Sequence, residues 1–528
     1  STPVLYVATA RGVYQSADLG VTWSRFGEGL PNSPVTDLQL VPGLNILAAS
    51  TYGRGAWEIE LGAINRVWTG KGTSANWSNA NNWSGNTVPL AGDNPIFPAG
   101  ASQLTNTDDL TAGTRFGNIV FGAAGYSVSG NSIQLDGTLD GSASSGNTAF
   151  NLAVTLAGAS NILTGATGSD ITLSQAINTN GFTLSVGGFT GQVNITSVIS
   201  GTGNLTVNDA GGTTVLSGPA DTYTGATTVA AGTLLLNKSG NAIKGSLTVS
   251  GGTVRLSANN EIAKKSVIVS NSGLLDLNNH TDTIGSLTLS SSNVTTGTGT
   301  LTLGGNVTDT GTSSISGNLS LGTAGRTFTV NSSSTLTVFA VISGGPGLTK
   351  AKTGTLVLAA ANIYTGTTTI SAGTLLVEGT QTGSPIGIGA SGTLGGTGTV
   401  GAISVVSGGQ VIPGISATQT GILSASNVTM PSGSTFDVQA NGTTPGSGYS
   451  QLATSGTVNI TGSTLKFTLG FTPSIGASFT IINNTGAGAV VGTFNGLPQN
   501  GTFIVNGMTF QISYTGGDGN DVVVTRIA

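Results

Sequence analysis

Cysteine is absent from this 528-residue chain, histidine occurs once, and charged residues make up only 7% of the composition. The absence of cysteine does not fix the cellular compartment. The formal net charge of −5 is small for this length, and no basic stripe exists that could collect phosphates, which argues against nucleic-acid binding. The apolar runs are short and interrupted by glycine or threonine, so no membrane span is expected.

Glycine, threonine, serine and asparagine are abundant in the sequence, and glycine alone occurs 85 times. Hydrophobic residues still make up 37% and the mean hydropathy is +0.22, so the chain can bury a core, unlike charged disordered chains. Many β-branched residues and turn formers predict an all-β protein with frequent tight turns. Such low-charge β chains are typical of secreted or bacterial surface proteins. The initial Ser-Thr-Pro indicates a processed or truncated product.

Residues 1–62 read as short strands separated by turns, and "SADLGVTW" lies between the second and the third. This octapeptide resembles the Asp-box, S-x-D-x-G-x-T-W, of sialidase-like β-propellers. The resemblance implies a structural turn in which the aspartate closes a hairpin through hydrogen bonds and the tryptophan packs between strands. It also implies one four-stranded propeller blade, closed by the strand at 50–61. The Asp-box residues are Ser16, Asp18, Gly20, Thr22 and Trp23.

Three of the five tryptophans lie in the segment 63–100, at Trp68, Trp77 and Trp83. They either form an aromatic cap over the first turn of the region that follows or present an aromatic platform to sugars. No tryptophan occurs after Trp83, so the aromatic surface is confined to one end. We expect the cap and keep the three indoles as the candidate ligand-contacting aromatics.

Residues 101–435 repeat one theme, in which leucine alternates with threonine or serine at the period of a half-buried strand. The block "YTGATTVAAGTLLL" at 223–236 returns as "YTGTTTISAGTLLV" at 364–377, and "VISG" precedes each copy. Strands this short cannot bury an apolar face alone, but stacked coils can. We therefore expect a right-handed parallel β-helix with about 20 residues per coil.

The two YTG blocks resemble the autotransporter-associated β-strand repeat of bacterial passenger domains. The segment 390–414 is similar to the sequence that commonly follows this repeat. The resemblance covers roughly residues 63–435, and it implies a secreted, β-helical passenger.

Residues 436–528 form a different region, with longer alternating strands that place phenylalanine at apolar positions. The dipeptide Asn506-Gly507 is the strongest short signal for a hairpin. We expect a small antiparallel β-sandwich or cap that blocks the open end of the helix, because an exposed sheet edge would pair with other chains.

The segment "GGDGNDVVV" at 516–524 fits the calcium-binding nonapeptide of parallel β-rolls, G-G-x-G-x-D-x-U-x. In the repeats-in-toxin family each ion lies between consecutive turns, whereas the motif occurs once here. Asp518 and Asp521 alone supply too few of the six to eight oxygens that calcium prefers. We expect the turn of the last hairpin and no cofactor, with Asp518 and Asp521 kept as a weak calcium candidate.

No constellation of residues points to catalysis. His280 lies between Asp276 and Asp282, but the surrounding sequence reads as strand, turn and strand, and no nucleophile or oxyanion site accompanies it. Acidic pairs such as Asp108-Asp109 lie in turn-like sequence, and no carboxylates recur at coil spacing as sugar-cleaving β-helix enzymes require.

The sequence as a whole predicts a non-enzymatic extracellular structural protein of bacterial origin, a stiff β-solenoid rod on the cell surface or in the matrix. Its partner is expected to be itself, through head-to-tail assembly of the N-terminal segment and the C-terminal cap. One alternative is an adhesin that binds surface glycans or neighbouring surfaces. A second is a polysaccharide-degrading β-helix enzyme.

Overall fold

Regular structure in the computed structural model is almost entirely β-strand, with short 3-10 turns at Ala80–Asn82 and Ser84–Asn86. The structure describes residues 4–27, 29–41, 46–416 and 418–528. These fall into two compact units, 1–246 and 247–528. Across the described residues, no helix has the length and apolar character needed to cross a bilayer.

The N-terminal segment contains two antiparallel sheets of three strands each, built from β1–β3 and β4–β6. One four-stranded blade was expected, so this pairing differs from the prediction. β3 and β4 do not pair, and the connection between them contains Pro31 and Pro34, which lack the N–H that a ladder needs. The six strands are Leu5–Thr9, Gly12–Ser16, Ser24–Phe26, Val35–Val41, Ile46–Thr51 and Gly55–Glu60.

Parallel strands, short except for the last two, make up the rest of the regular structure in the first unit. They are β7 to β24, namely Asn65–Val67, Asn94–Phe97, Thr105–Asp108, Thr114–Phe116, Ile119–Phe121, Ser127–Gly130, Ile133–Leu135, Thr138–Gly141, Thr148–Asn151, Val154–Leu156, Ser160–Thr164, Ile171–Leu173, Ile177–Asn178, Leu184–Gly188, Gln192–Ile195, Ile199–Ser200, Leu205–Gly218 and Thr227–Lys238.

The register of these strands shows coils stacked into a parallel β-solenoid. Val128 pairs with Phe150, which pairs with Leu173, and the column continues through Ile195 to Leu216. Successive partners lie 21–23 residues apart, close to the predicted coil length. Each of these five side chains is at most 2% exposed, so one residue per coil fills the same place in the core.

The second unit also consists mainly of parallel strands, β25 to β52, apart from one antiparallel pair, β44 and β45. Its strands are Leu247–Val249, Thr253–Leu256, Val267–Ser270, Leu274–Asp276, Asp282–Ile284, Leu287–Ser290, Asn293–Leu303, Val307–Asp309, Thr312–Ser320, Arg326–Val330, Thr335–Val338, Val341–Ser343, Leu348–Ala351, Thr355–Leu358, Thr368–Val377, Thr380–Gln381, Ile386–Gly396, Thr399–Val400, Ile403–Val405, Gln410–Ser416, Gln419–Thr420, Ile422–Ala425, Val428–Thr429, Thr435–Ala440, Gln451–Thr454, Val458–Asn459, Thr464–Leu469 and Ser478–Asn484.

The parallel solenoid extends beyond both predicted boundaries, residues 101 and 435. It begins with β7, which pairs in parallel with β8, inside the tryptophan-bearing segment. At the other end, β48 pairs in parallel with β51, and β49 with β52. Alternation of apolar and polar residues reports a half-buried strand but not the direction of its neighbour, so the sequence of 436–484 looked like an antiparallel sheet.

Antiparallel pairing at the C-terminus involves β52 and the last three strands, Thr502–Val505, Met508–Gly516 and Asp521–Arg526 (β53 to β55). The predicted hairpin at Asn506-Gly507 is confirmed: Val505 pairs with Met508, and the two turn residues have φ of 49° and 77°. Positive φ at both central positions is the requirement of a type I′ turn, which Asn-Gly meets at low cost.

Candidate functional site

The three tryptophans of the segment 63–100 are interior side chains. Trp68 and Trp77 are 0% exposed and Trp83 is 1% exposed. The prediction that they could present a platform to sugars is therefore wrong, because a glycan cannot reach buried indole faces. Their position on the first coil agrees with the alternative, an aromatic cap.

The indoles hold one another in place through ring contacts and hydrogen bonds. Trp83 meets Trp68 and Trp77 edge-on, with ring centroids 5.1 and 5.9 Å apart, the arrangement that aromatic quadrupoles favour. Each indole N–H has a partner: Trp68 donates to the Gln103 carbonyl, Trp77 to the Asn106 side chain and Trp83 to the Trp77 carbonyl. The cluster thus buries large apolar surfaces without orphaned donors.

The Asp-box forms a closed turn between β2 and β3. The Asp18 carboxylate accepts hydrogen bonds from the Thr22 N–H at 2.8 Å, the Thr22 hydroxyl at 2.6 Å and the Ser16 hydroxyl at 2.7 Å. These bonds, first those from Thr22, lower the pKa of Asp18 to about 2. Trp23 differs from the expectation: it is 43% exposed and donates to the Gly20 carbonyl instead of packing between strands.

The glycine-rich segment near the C-terminus is the turn between β54 and β55, as predicted for the last hairpin, with Gly516 paired to Asp521. Asp518 is exposed, whereas Asp521 is buried and accepts the Asn484 N–H at 2.8 Å. Burial raises the pKa of Asp521. No group of three His, Cys, Asp or Glu residues that could hold a metal occurs in the part of the chain that the structure describes.

His280 lies in the turn between β28 and β29, where its backbone N–H donates to the Leu277 carbonyl. The flanking carboxylates accept hydrogen bonds from groups other than His280. Asp276 accepts from the Asn278 N–H and the Thr295 hydroxyl, and Asp282 accepts from backbone N–H groups. The neighbourhood is therefore a hydrogen-bonded corner of the solenoid.

The repeated YTG blocks build the same buried corner in both units. Tyr223 and Tyr364 are 0% exposed, and each places its hydroxyl 2.6 Å from that of the threonine four residues later, Thr227 or Thr368. The glycines that follow the tyrosines are required by close approach: a Cβ on Gly225 would lie 2.0 Å from the Gly203 carbonyl oxygen of the preceding coil. The motif is thus a packing and hydrogen-bonding unit.

The "VISG" tetrapeptides are the partners of these corners on the preceding coil. The Asp221 side chain accepts the Ile199 N–H at 2.7 Å, and the Asn362 side chain accepts the Ile342 N–H at 2.9 Å. An aspartate and an asparagine therefore accept the same hydrogen bond, because only one side-chain acceptor oxygen is needed. The isoleucine N–H of each tetrapeptide thus binds the equivalent corner in both copies.

A buried ion pair distinguishes the first corner from the second. Lys238 Nζ lies 2.9 Å from Asp221 Oδ1, with both side chains 0% exposed, and it also donates to the Ser197 carbonyl. In the second copy Asn362 replaces the aspartate and Gly379 stands at the lysine position. Burying a lone charge is costly, so the two positions change together between copies.

Other carboxyl groups are buried inside the coils. Asp108 and Asp209 are at most 1% exposed, and neither oxygen of Asp209 has a hydrogen-bond partner among the described residues. Burial raises the pKa of each to about 6, and burial also raises the pKa of Asp309. Desolvation disfavours the charged form, so these groups hold protons more tightly in the folded protein.

Comparison with known families assigns the repeated blocks. Residues 205–236 and 348–377 match the model of the passenger-associated-transport-repeat. The chain carries two copies of this passenger repeat. In the structure the first copy spans β23 and most of β24, and the second runs from β37 through β39, so each copy covers one full coil and part of the next, with the tyrosine corner between its strands.

Among solved structures, the Haemophilus influenzae Hap adhesin matches with 11% sequence identity, covering 92% of this chain and 70% of the Hap chain at a TM-score of 0.27. A TM-score of this size does not support a comparison of sites. No curated protein sequence matches the chain significantly.

Sequence reasoning found the repeat but missed the residues that organise it. The spacing of Tyr and Thr in "YTGATT" was a usable signal, since both copies keep it. The ion pair of Lys238 with Asp221 had no such signal, because the two residues are brought together only by stacking.

Replacing Tyr223 with Phe should destabilise the protein by about 1–3 kcal/mol, because the Thr227 hydroxyl loses its partner in the core. The double variant Y223F/T227V should recover most of this loss, since both polar groups are then gone. Thermal unfolding of the two variants measures the effect. Tyr52→Phe is the matched control, because Tyr52 is 76% exposed; equal losses in Y223F and the double variant would contradict the assignment.

Stability should rise as the pH falls from about 7 to about 4, because carboxyls with a raised folded-state pKa bind protons more readily in the folded protein. Asp209→Asn should raise the melting temperature at pH 7.5 and flatten this pH dependence. Asp18→Asn is the opposite control, since the pKa of Asp18 is lowered to about 2 and its stabilising effect is lost in acid. Melting curves that are identical for D209N and the parent at every pH would refute this assignment.

Proposed function

We propose that the protein is a non-enzymatic structural passenger, secreted by a bacterium and held on the cell surface or in the matrix. The two passenger repeats carry the proposal, because they are integral coils of a parallel β-solenoid. Backbone hydrogen bonds run from coil to coil, and the low charge leaves few groups for ionic partners. Such a ladder gives a stiff, protease-resistant scaffold.

Absence of a converging acid–base set among the described residues supports a non-catalytic role. The aspartates that flank His280 accept hydrogen bonds from backbone N–H groups, and the buried Asp221 is paired with Lys238. A sugar-cleaving site needs two carboxyl groups that face one substrate. The adhesin alternative loses its first candidate surface, since the three cap tryptophans are buried.

Antibodies raised against the purified chain should label intact, unpermeabilised cells of the producing bacterium or recover the chain from the medium. Labelling that appears only after permeabilisation would contradict an extracellular location. A cytoplasmic protein detected in the same samples reports whether the cells were intact.

Self-association remains the proposed mode of assembly. Exposed apolar side chains cluster on the N-terminal segment, where Val21 is 82% and Tyr52 76% exposed, and recur in the last strands, where Ile504 is 72% exposed. Ile504 lies on β53, the edge strand of its sheet. Large exposed apolar groups together with an open edge favour association with another copy.

Sedimentation velocity should show an average mass that grows with concentration, and Tyr52→Ser or Ile504→Ser should reduce this growth. Ile363→Ser is the matched control, because Ile363 is 67% exposed but lies within the second passenger repeat. A monomer at every concentration would rule out self-assembly while leaving the extracellular role intact.

A further inference from the structure

The outer face of the second passenger repeat carries two columns of side chains. Thr355 pairs with Thr374, which pairs with Thr393, giving a threonine on each of three successive coils. Two residues further along each of these strands, Val357 pairs with Leu376, and Leu376 pairs with Gly395 of the next coil. Alternation along a strand sends both columns outward, because the leucines between them are core residues.

A short flap covers part of this outer face. β44 runs past the coil and turns back, so that Gly414 pairs with Thr420 and Ser416 with Gln419. Gly395 lies beneath it, since a Cβ there would be 2.9 Å from the Gly414 carbonyl oxygen. This cover explains why Leu376, although it points away from the core, is only 8% exposed.

Between the flap and the threonine column lies a groove of about 330 Å³. Its base is apolar: Leu376 and Gly395 are buried there, Ile412 is half-buried, and Ile415 of the flap, which is 39% exposed, stands over it. The threonine hydroxyls line the opposite side, and no hydrogen bond within the described residues engages them. Groups that are free to donate and accept therefore recur at the coil spacing of about 4.8 Å.

No residue that lines the groove is charged, so a charged ligand would find no ionic partner there. An anionic polymer would be desolvated there without a cationic partner. The repeat of hydroxyls at nearly the length of one hexose, beside an apolar strip, suits an extended sugar chain. Such a chain presents hydroxyls along its edges and C–H groups on its faces.

The first passenger repeat provides an internal comparison. Thr213 pairs with Thr233, and Val215 with Leu235, so the same two columns stand on its outer face. There Val215 and Leu235 are partly exposed, whereas the equivalent Val357 and Leu376 are buried. The chemistry of the columns is thus shared, and the second repeat differs by the flap that lies over Gly395 beside Leu376.

We propose that the groove between the threonine column 355/374/393 and the flap 414–416 binds a neutral, extended β-linked polysaccharide. Each sugar residue would meet one coil, with its hydroxyls on a threonine and its apolar face on Ile412 or Ile415. The inference goes beyond the structural role and is read out separately from it: loss of glycan binding would leave the surface location unaffected.

Titration calorimetry of the full chain with cellohexaose tests the proposal. Leu376→Lys places a charged chain across the base and should weaken binding at least about tenfold, equivalent to about 1.4 kcal/mol. Leu235→Lys, the matched change in the first repeat, should leave binding unchanged. Thr393→Val removes one hydroxyl without adding charge, and it serves as a second variant if L376K does not fold.

Several results decide the matter. Binding of cellohexaose or chitohexaose that is lost in the groove variants and kept in L235K supports the proposal. The proposal fails if neither oligosaccharide binds, if L235K and L376K lose binding equally, or if an oligogalacturonate binds as tightly as cellohexaose. Circular dichroism of each variant shows whether the solenoid is retained.

Discussion

The backbone hydrogen bond between successive coils is the interaction on which the rest of this structure depends. A coil has strands of only two to five residues along much of the first unit, and such strands are unstable alone. Parallel pairing satisfies their N–H and C=O groups on both sides and fixes the register. Once the register is fixed, one apolar side chain per coil stacks on its equivalent, as in the column from Val128 to Leu216.

Polar residues in the interior follow from the same constraint. Each coil must turn sharply at its corners, and the turning backbone leaves N–H groups that a neighbouring coil must satisfy. Asp221 and Asn362 supply an acceptor at equivalent corners, and the tyrosine and threonine hydroxyls pair nearby. Where the core holds a carboxyl without a partner among the described residues, as at Asp209, the cost of burial appears as a raised pKa.

The outer surface is where repeats with the same core can diverge. Substitutions that face outward change no core packing, so the two passenger repeats keep their corners while their surroundings differ. The flap at 414–416 is one such difference, and it turns an ordinary pair of side-chain columns into a groove. The cap tryptophans are the opposite case, because their aromatic surface is buried where it closes the first coil and is not available on the outside.

The sequence by itself determined the β-solenoid class, the repeat, and the turns at 506–507 and 516–521. These features depend on local alternation and on turn chemistry, which neighbouring residues encode. The tertiary structure alone decided where the solenoid begins and ends, since alternation is the same for parallel and antiparallel partners. It also decided the burial of the three tryptophans, the pairing of Lys238 with Asp221 and the groove beside Leu376, because stacking brings together residues that are distant in sequence.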